Sequence, residues 1–408
     1  MRIGTTIRRA VASFIVLAGL GGTSLAEGKD FLWNMSGSVE AQMRYFPQEG
    51  PFPDQHRRTA ALAVDLEFDA EWDDGSQTLS VEPFVRLDEH DSRRSHWDMR
   101  EFVWRYTDNK WNVRVGLDKV FWGVSESRHL IDIVNQTDLI ESPDEESKLG
   151  QPMIGLSYNT DWGDLDLFYL PYFRERTFPG GAGRLRNTAP VDTDEESFDS
   201  GLENFHPDVA ARWSKTFNAF DVGLSYFYGT SREPRIVTRV KGNGAVVPAP
   251  HYDLISQTAL DVQATYGDWL WKLEAMTRSG HGDRFAAVAG GFEYTHVGFL
   301  DSRVDLGILA EYLYDGRDKT APATLYDNDL FIGLRFVLND EQSTEVLAGV
   351  IKDLNDNGHL FFIEASRRFG DNWKGSFEFR SVDALPSNDP FQPLRRDDYL
   401  QVGLAYFF

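Results

Sequence analysis

Nine histidines could each serve as a general base or a metal ligand in this chain of 408 residues: His56, His90, His96, His129, His206, His251, His281, His296 and His359. An Asp/His or Ser/His hydrolase needs such a base next to its nucleophile or its attacking water. No His-x-x-x-His or Gly-x-Ser-x-Gly spacing occurs. Two acidic stretches, ESPDEE at 141–146 and DTDEESFD at 192–199, offer carboxylates to Ca²⁺ or to divalent ions bridging lipopolysaccharide, but neither has the Asp-x-Asp-x-Asp-Gly spacing of a calcium loop. They read as a solvated negative rim. Gly180, Gly181 and Gly183 lack the strand-to-helix setting of a phosphate cradle and read as loop. The sequence therefore assigns no catalytic residue, metal ligand or cofactor.

The surrounding chain explains where such residues would sit. Arg2, Arg8 and Arg9 precede an apolar run at 11–20 and the small-residue site Ser24-Leu25-Ala26, the layout of a secretory signal over 1–26. Residues 27–408 then form one extracytoplasmic domain with no cysteine and no disulfide framework. Without the signal, 38 Lys and Arg face 64 Asp and Glu, with no basic run, so nucleic acid is excluded as a partner. At 13% aromatic with 11 Trp the chain is not disordered, and it holds no later apolar run long enough for a membrane helix.

Period-two alternation organises the remainder. Along 33–46, Trp33, Met35, Val39, Ala41, Met43 and Tyr45 alternate with polar residues. Along 59–72, Leu62, Val64, Leu66, Phe68 and Trp72 oppose Asp65, Glu67, Asp69 and Glu71. Short Gly/Asn/Asp turns fall near 73–76, 107–110, 159–161, 217–219, 267–268, 296–298, 339–341 and 370–372. Longer links fall near 47–58, 88–96, 122–151, 174–206, 230–251, 279–284, 315–327, 354–358 and 382–397. Eight short turns alternating with nine long links imply 18 strands, with 16 as the alternative, since 96–107 and 343–354 change phase. This parity, and the aromatics flanking the short turns (Trp72, Tyr106, Trp111, Tyr158, Trp162, Tyr266, Trp269, Trp373), predict an all-β transmembrane antiparallel up-and-down barrel with short periplasmic turns and long extracellular loops. A soluble sandwich gives loop length no reason to follow parity.

If the apolar faces meet lipid, the opposite faces line a lumen. Arg44, Glu67, Arg86, Arg114, Asp118, Arg303, Asp305, Arg335, Glu378 and Arg380 are expected there, either paired across strands or arranged as opposed ladders. A barrel this wide leaves an aqueous passage. The link at 122–151 carries Leu130, Ile133, Val134, Leu139 and Ile140, too many aliphatics for a solvated loop. It is expected to fold into the mouth as a constriction presenting Arg128, Asp132, Asn135 and Asp138; the alternative is an external loop with a short amphipathic helix.

The last ten residues, YLQVGLAYFF, resemble the C-terminal strand of bacterial outer-membrane barrels, whose final Phe is read by the barrel-assembly machinery. Val113-Arg114-Val115-Gly116 followed by Trp122-Gly123 and the segment 130–138 resembles porin-like families of Gram-negative outer-membrane proteins and, more distantly, the 18-stranded alginate-export barrel. The resemblance implies an outer-membrane channel for small hydrophilic solutes, not an enzyme, in contact with membrane lipid and lipopolysaccharide. The mixed charge of the expected lumen does not fit a path for a polyanion. The alternatives are a barrel hydrolase with a His/Asp site on its rim, and a structural or adhesion barrel closed by its own loops. The small inward face at Gly403 and Ala405 is expected to leave free space.

Overall fold

A computed structural model of the protein describes residues 31–186, 188–386, 389 and 391–408; the signal segment 1–26 lies outside them. Twenty-one strands occur among the described residues: β1 (Phe31–Tyr45), β2 (Arg58–Trp72), β3 (Gln77–Asp88), β4 (His96–Thr107), β5 (Trp111–Asp118), β6 (Gln151–Thr160), β7 (Gly163–Leu170), β8 (Ser197–Phe198), β9 (Asp208–Phe217), β10 (Phe220–Thr230), β11 (Arg235–Val240), β12 (Val246–Tyr252), β13 (Leu254–Tyr266), β14 (Trp269–Gly280), β15 (Gly282–His296), β16 (Asp305–Asp315), β17 (Asn328–Val337), β18 (Glu345–Asp353), β19 (His359–Phe369), β20 (Trp373–Asp383) and β21 (Tyr399–Phe407). Eighteen of them form one antiparallel sheet in which each strand pairs with its successor. The sheet closes where Ser38–Tyr45 of β1 pairs with Leu400–Phe407 of β21, so it has no free edge. β8, β11 and β12 form a separate three-stranded sheet within the links 171–207 and 231–253.

The outer belt is apolar because it faces lipid. Val85, Phe102, Ile154, Leu167, Leu224, Tyr226, Trp271, Ile332, Val402 and Leu404 are exposed large side chains on outward positions. At the short-turn end aromatics pair across neighbouring strands: Trp111 with Tyr158 (4.2 Å between ring centroids), Trp269 with Tyr294 (4.7 Å) and Trp373 with Tyr406 (4.9 Å). Such rings suit a membrane–water interface.

Both phase changes in the sequence have a structural cause. In β3–β4 the register moves from Glu82↔Glu101 to Pro83↔Met99, which leaves Arg100 as an extra residue. Pro83 has no N–H to give the ladder, and a bulge is where a sheet tolerates it. The bulge brings Trp97, Met99, Phe102, Trp104 and Tyr106 to one outward face. β18 has no bulge: Leu347 and Ile351 face inward because they pack on apolar material inside the barrel. The expected long link at 279–284 shrinks to His281 alone, between Gly280 (φ 113°) and Gly282 (φ 79°), a left-handed turn only glycine makes readily. Loop length thus follows parity except at this hairpin and at the links 297–304 and 338–344, which lie at the short-turn end yet outrun the long-end link 354–358.

Gly403 does not open free space. A Cβ there would lie 2.3 Å from Ser376 Oγ and 2.6 Å from Glu40 Oε1, because these side chains lean into the position.

The lipid-facing belt is tested by Leu224→Arg. It is expected to destabilise the barrel by up to about 2–4 kcal/mol if the position lies near the bilayer midplane. The inward Glu67→Gln should leave urea-dependent refolding into vesicles nearly unchanged.

Candidate functional site

The link 119–150 leaves β5 and turns into the barrel. Among its residues no helix forms, which removes the external amphipathic-helix alternative. Asn135 ties its two ends: its Oδ1 accepts from Val120 N (2.8 Å), and its Nδ2 donates to the carbonyls of Asp118 and Leu149 (both 2.9 Å). Beyond Asn135 the chain doubles back, with Leu149 N donating to Gln136 O and Asp138 N to Ser147 O, both at 2.8 Å.

Irregular backbone inside a barrel carries donors that no regular structure satisfies, and each one buried unpaired is costly. Two wall glutamates satisfy five of them. Glu274 of β14 accepts from Val124 N (2.7 Å), Ser125 N (2.8 Å) and Ile131 N (3.1 Å). Glu311 of β16 accepts from Glu126 N and Ser127 N (both 2.8 Å) and from Ser127 Oγ (2.6 Å). Cations hold the carbonyls: Arg232 donates twice to Val134 O (3.1 and 2.9 Å), and Arg94 donates to Ile140 O (3.0 Å). Leu130, Ile131, Ile133 and Val134 are buried in one cluster with Phe168, Phe227, Met276, Leu309, Phe331 and Phe362 of the wall. Ala210, Ala259, Ala287 and Ala289 belong to the same cluster and leave the loop its room.

The other side of the loop meets charge. Arg86 of β3 grips Glu141 (2.8–2.9 Å), Arg94 pairs with Asp88 (2.8 Å), and Arg380 of β20 joins Glu364 (2.7 Å), Glu378 and Asp144 of the loop. Arg100, re-aimed by the bulge, lies 3.7 Å from Glu141 and over the Phe84 ring. Burial pushes the Glu141 carboxyl up, but the guanidiniums of Arg86 and Arg94 outweigh it and hold it below its ordinary range. Burial, and then the neighbouring Glu141, push Asp138 above its range.

Of the expected constriction residues, Arg128 pairs with Asp315 (3.0 Å) on the wall. Asp132, Asn135 and Asp138 do not face a passage. The Asp132 side chain is wholly buried beside Lys148 (3.2 Å), Asn135 is spent on the loop ends, and buried Asp138 accepts from Thr177 Oγ1 (2.8 Å). Short polar side chains in a buried irregular loop serve its own backbone and neighbours before they serve solvent.

Among the expected lumen residues, Arg44 is buried on Gln401 (2.6–2.8 Å), and Asp118 is buried between Arg105 (2.7 Å) and Arg114 (3.2 Å). Glu378 accepts from Arg380, Gln401 and the Tyr399 hydroxyl. Arg335 pairs with Glu126 (2.7 Å) and Glu293 (3.2 Å), and exposed Glu67 accepts from Ser36 (3.1 Å). Arg303 is not on the wall: it lies exposed in the turn before β16, and Asp305 beside it accepts from Gly298 N (2.9 Å) and Asn339 (2.8 Å). The structure also brings in Arg94 and Arg232, which sequence reading passed over because link residues carry no periodicity.

With the geometry in place, the chain can be compared with known proteins. No known protein family and no curated protein sequence matches it. In three dimensions it is similar to OpdQ of Pseudomonas aeruginosa, at a TM-score of 0.50 and 12% identity over 93% of this chain and 98% of that one. It is also similar to Wzi of Escherichia coli, an outer-membrane protein involved in group 1 capsule assembly and a carbohydrate-binding β-barrel, at 0.50 and 9% over 90% and 83%. A triple mutant of the Rhodopseudomonas blastica porin aligns at 0.44 and 12% over 92% and 100%. The fold is that of an outer-membrane porin-type barrel. The closed 18-stranded sheet and its apolar belt place this chain in the outer membrane of a Gram-negative cell, in contact with lipid.

Two outcomes follow for the inserted loop. Glu274→Leu strands three backbone donors at about 1–3 kcal/mol each, so it should make the link 119–150 sensitive to limited proteolysis in a barrel that still resists heat. Because the Glu141 carboxyl is depressed in the folded state, its stabilisation is complete above its ordinary value of 4.5 and is lost as pH falls through the lower folded value. Proteolysis of the loop should therefore rise only below pH 4.5, and Glu141→Gln should remove that acid step and leave the loop loose at neutral pH.

Proposed function

We propose that the protein is a passive, mildly selective outer-membrane channel for small hydrophilic solutes, narrowed by the link 119–150. The observation that carries this reading is the loop's position: it packs on the apolar wall from β6 to β19 and leaves ion-paired side chains on the rest of the lumen. On its short-turn side Glu67, Asp69 and Glu71 are exposed and inward, and Glu101, Arg105, Arg114, Lys119 and Glu126 stay partly exposed in mixed-sign pairs. Water-filled space with satisfied charges suits hydrated solutes of either sign. Insertion through the barrel-assembly machinery, by way of the strand ending at Phe408, belongs to the same reading, and the protein is not an enzyme in it.

A second reading, a barrel closed by its own loops, is favoured by a specific observation. On the long-link side a recess of about 680 Å³, lined by Tyr326, Asp329, Ile351, Asp353, His359 and Leu360, has an apolar floor formed by Ile351 and Leu360 of the packed cluster. A recess with such a floor suits binding at the surface, and carbohydrate binding is what the name of the Wzi barrel states for that protein.

Single-channel recording in a planar bilayer separates the two. Deletion of 127–141 should raise conductance several-fold over a measurable wild-type value. A wild-type barrel without conductance that begins to conduct only on deletion would select the closed reading, and unchanged conductance would remove the loop as constriction.

A further inference from the structure

On the extracellular side, the parallel pairing of β8 with β12 sets Ser197 beside His251. The ring of His251 is bracketed. Its Nδ1 lies 2.9 Å from Ser197 Oγ, while its Nε2 faces two carboxylates at once, Asp199 Oδ1 at 3.2 Å and Asp253 Oδ1 at 3.4 Å. One ring nitrogen carries at most one proton and cannot serve two anionic acceptors equally well. The three ligand atoms lie within 4.8 Å of one another. Separations of 3.2 and 3.4 Å are close to the edge of a tetrahedron whose centre is about 2.0–2.2 Å from each N or O donor.

We propose that Asp199, His251 and Asp253 bind one divalent transition-metal cation of the zinc class. The mixed nitrogen and carboxylate donor set favours such an ion over calcium, which takes oxygen ligands. Ser197 acts on the metal through His251: a hydroxyl accepting from Nδ1–H fixes the tautomer that leaves Nε2 free to ligate. Arg235 grips Asp253 with both arms, Nε 2.7 Å from Oδ2 and an Nη on Oδ1, so the cation takes the remaining lone pair of Oδ1, on the side that faces His251. Two carboxylates and one guanidinium then leave a net negative site for the incoming cation.

His281 is an independent observation at the same place. Its side chain is fully buried, neither ring nitrogen has a hydrogen-bond partner, and Nε2 points to Asp253 Oδ2 from 3.8 Å. A buried imidazole left unpaired is costly; its place is beside Oδ2 of Asp253, the oxygen that Arg235 Nε holds, where it backs the ligand carboxylate from the side away from His251. The hydrolase alternative accounts for less. It explains the Ser197–His251 contact and one carboxylate on the opposite ring nitrogen, but not the second carboxylate converging there.

The consequence is mechanical. Asp199 belongs to the link 171–207, and His251 and Asp253 lie at and just beyond the end of β12. The cation would clip together two long links, one of which supplies the Arg176 and Thr177 contacts to the inserted loop.

The test uses the full chain folded in detergent micelles and freed of metal with EDTA. Calorimetric titration with Zn²⁺ should show one site, and Co²⁺ should give the visible absorption of a tetrahedral nitrogen/oxygen complex. His251→Ala and the half-exposed Asp199→Asn should each abolish the Co²⁺ band. Ser197→Ala should weaken Zn²⁺ about tenfold or more and leave the band in place. Zn²⁺ should also protect the link 171–207 from protease in the wild type alone. Asp199→Asn alters an exposed group, so retained heat-resistant gel mobility confirms its fold. Absence of a Zn²⁺ site, unchanged affinity in His251→Ala, or displacement of Zn²⁺ by equimolar Ca²⁺ would each overturn the proposal.

Discussion

A run of irregular backbone inside a barrel has to find acceptors for its buried N–H groups, and the rest of this interior follows from that constraint. Glu274 and Glu311 meet it from one arc of wall. A carboxylate accepting several amide hydrogens is a strong, charge-assisted arrangement, and it fixes the height at which the loop crosses. Once that height is set, the loop's aliphatics must land on the same arc. The inward faces of β6 to β19 answer with Phe168, Met276, Leu309 and Phe331 around small alanines. The loop's Glu141 and Asp144 are then met from the remaining arc, β20 through β5, by Arg86, Arg100 and Arg380, while Arg94 pairs with Asp88 and holds the carbonyl of Ile140, and Glu126 turns back to Arg335 of β17.

This division makes the buried ion pairs more than additions to stability. A buried pair is weak evidence for stability by itself, because desolvation offsets much of its attraction. Here each arginine also has a positional task. Arg94 and Arg232 hold carbonyls of the loop, and Arg86 holds the Glu141 carboxylate within the turn at 138–142, which closes on the Asp138 carbonyl. Removing one partner leaves a buried charge and a loosened turn together, so the arrangement specifies one path for the loop.

The barrel was legible in the sequence wherever two environments alternate along a strand. Strands such as 59–72, with lipid on one side and water on the other, read at full contrast, and parity of the links carried the strand number. Contrast fails where the inside is also apolar. Leu347 and Ile351 on β18 look like lipid-facing residues in the wrong phase, because the loop offers them a second apolar surface. It fails again at Arg100, where one inserted residue shifts the phase of everything after it. The loop itself was visible as an excess of aliphatics, but its polar residues were misassigned. By type alone Asp132, Asn135 and Asp138 look solvent-facing, whereas the groups they satisfy are set by tertiary contacts that no spacing records. The Ser197, Asp199, His251 and Asp253 group was invisible for a related reason: its members come from two links joined only by the β8–β12 pairing.

The pairing of charges also bears on what a lumen of this kind can discriminate. Arg105, Arg114, Lys119 and Arg335 each have a carboxylate within 3.5 Å. Close pairs present dipoles, and a dipole's field decays faster with distance than that of a lone charge, the more so at physiological salt, where screening acts over about 8 Å. In the proposed channel, a hydrated solute crossing the middle of the lumen therefore meets little net transverse field. At the short-turn end, Glu67 and Asp69 on β2 are exposed and hydrogen-bonded to Ser36 and Ser80, Glu71 is exposed beside them, and Arg368 and Lys374 stand opposite each other on the inward face of β19 and β20. Hydroxyl partners leave the charge of Glu67 and Asp69 uncompensated, and Arg368 and Lys374 bring the opposite sign to the same end, so in the proposed channel any preference for charge is set at the short-turn mouth by this balance, and size by the loop.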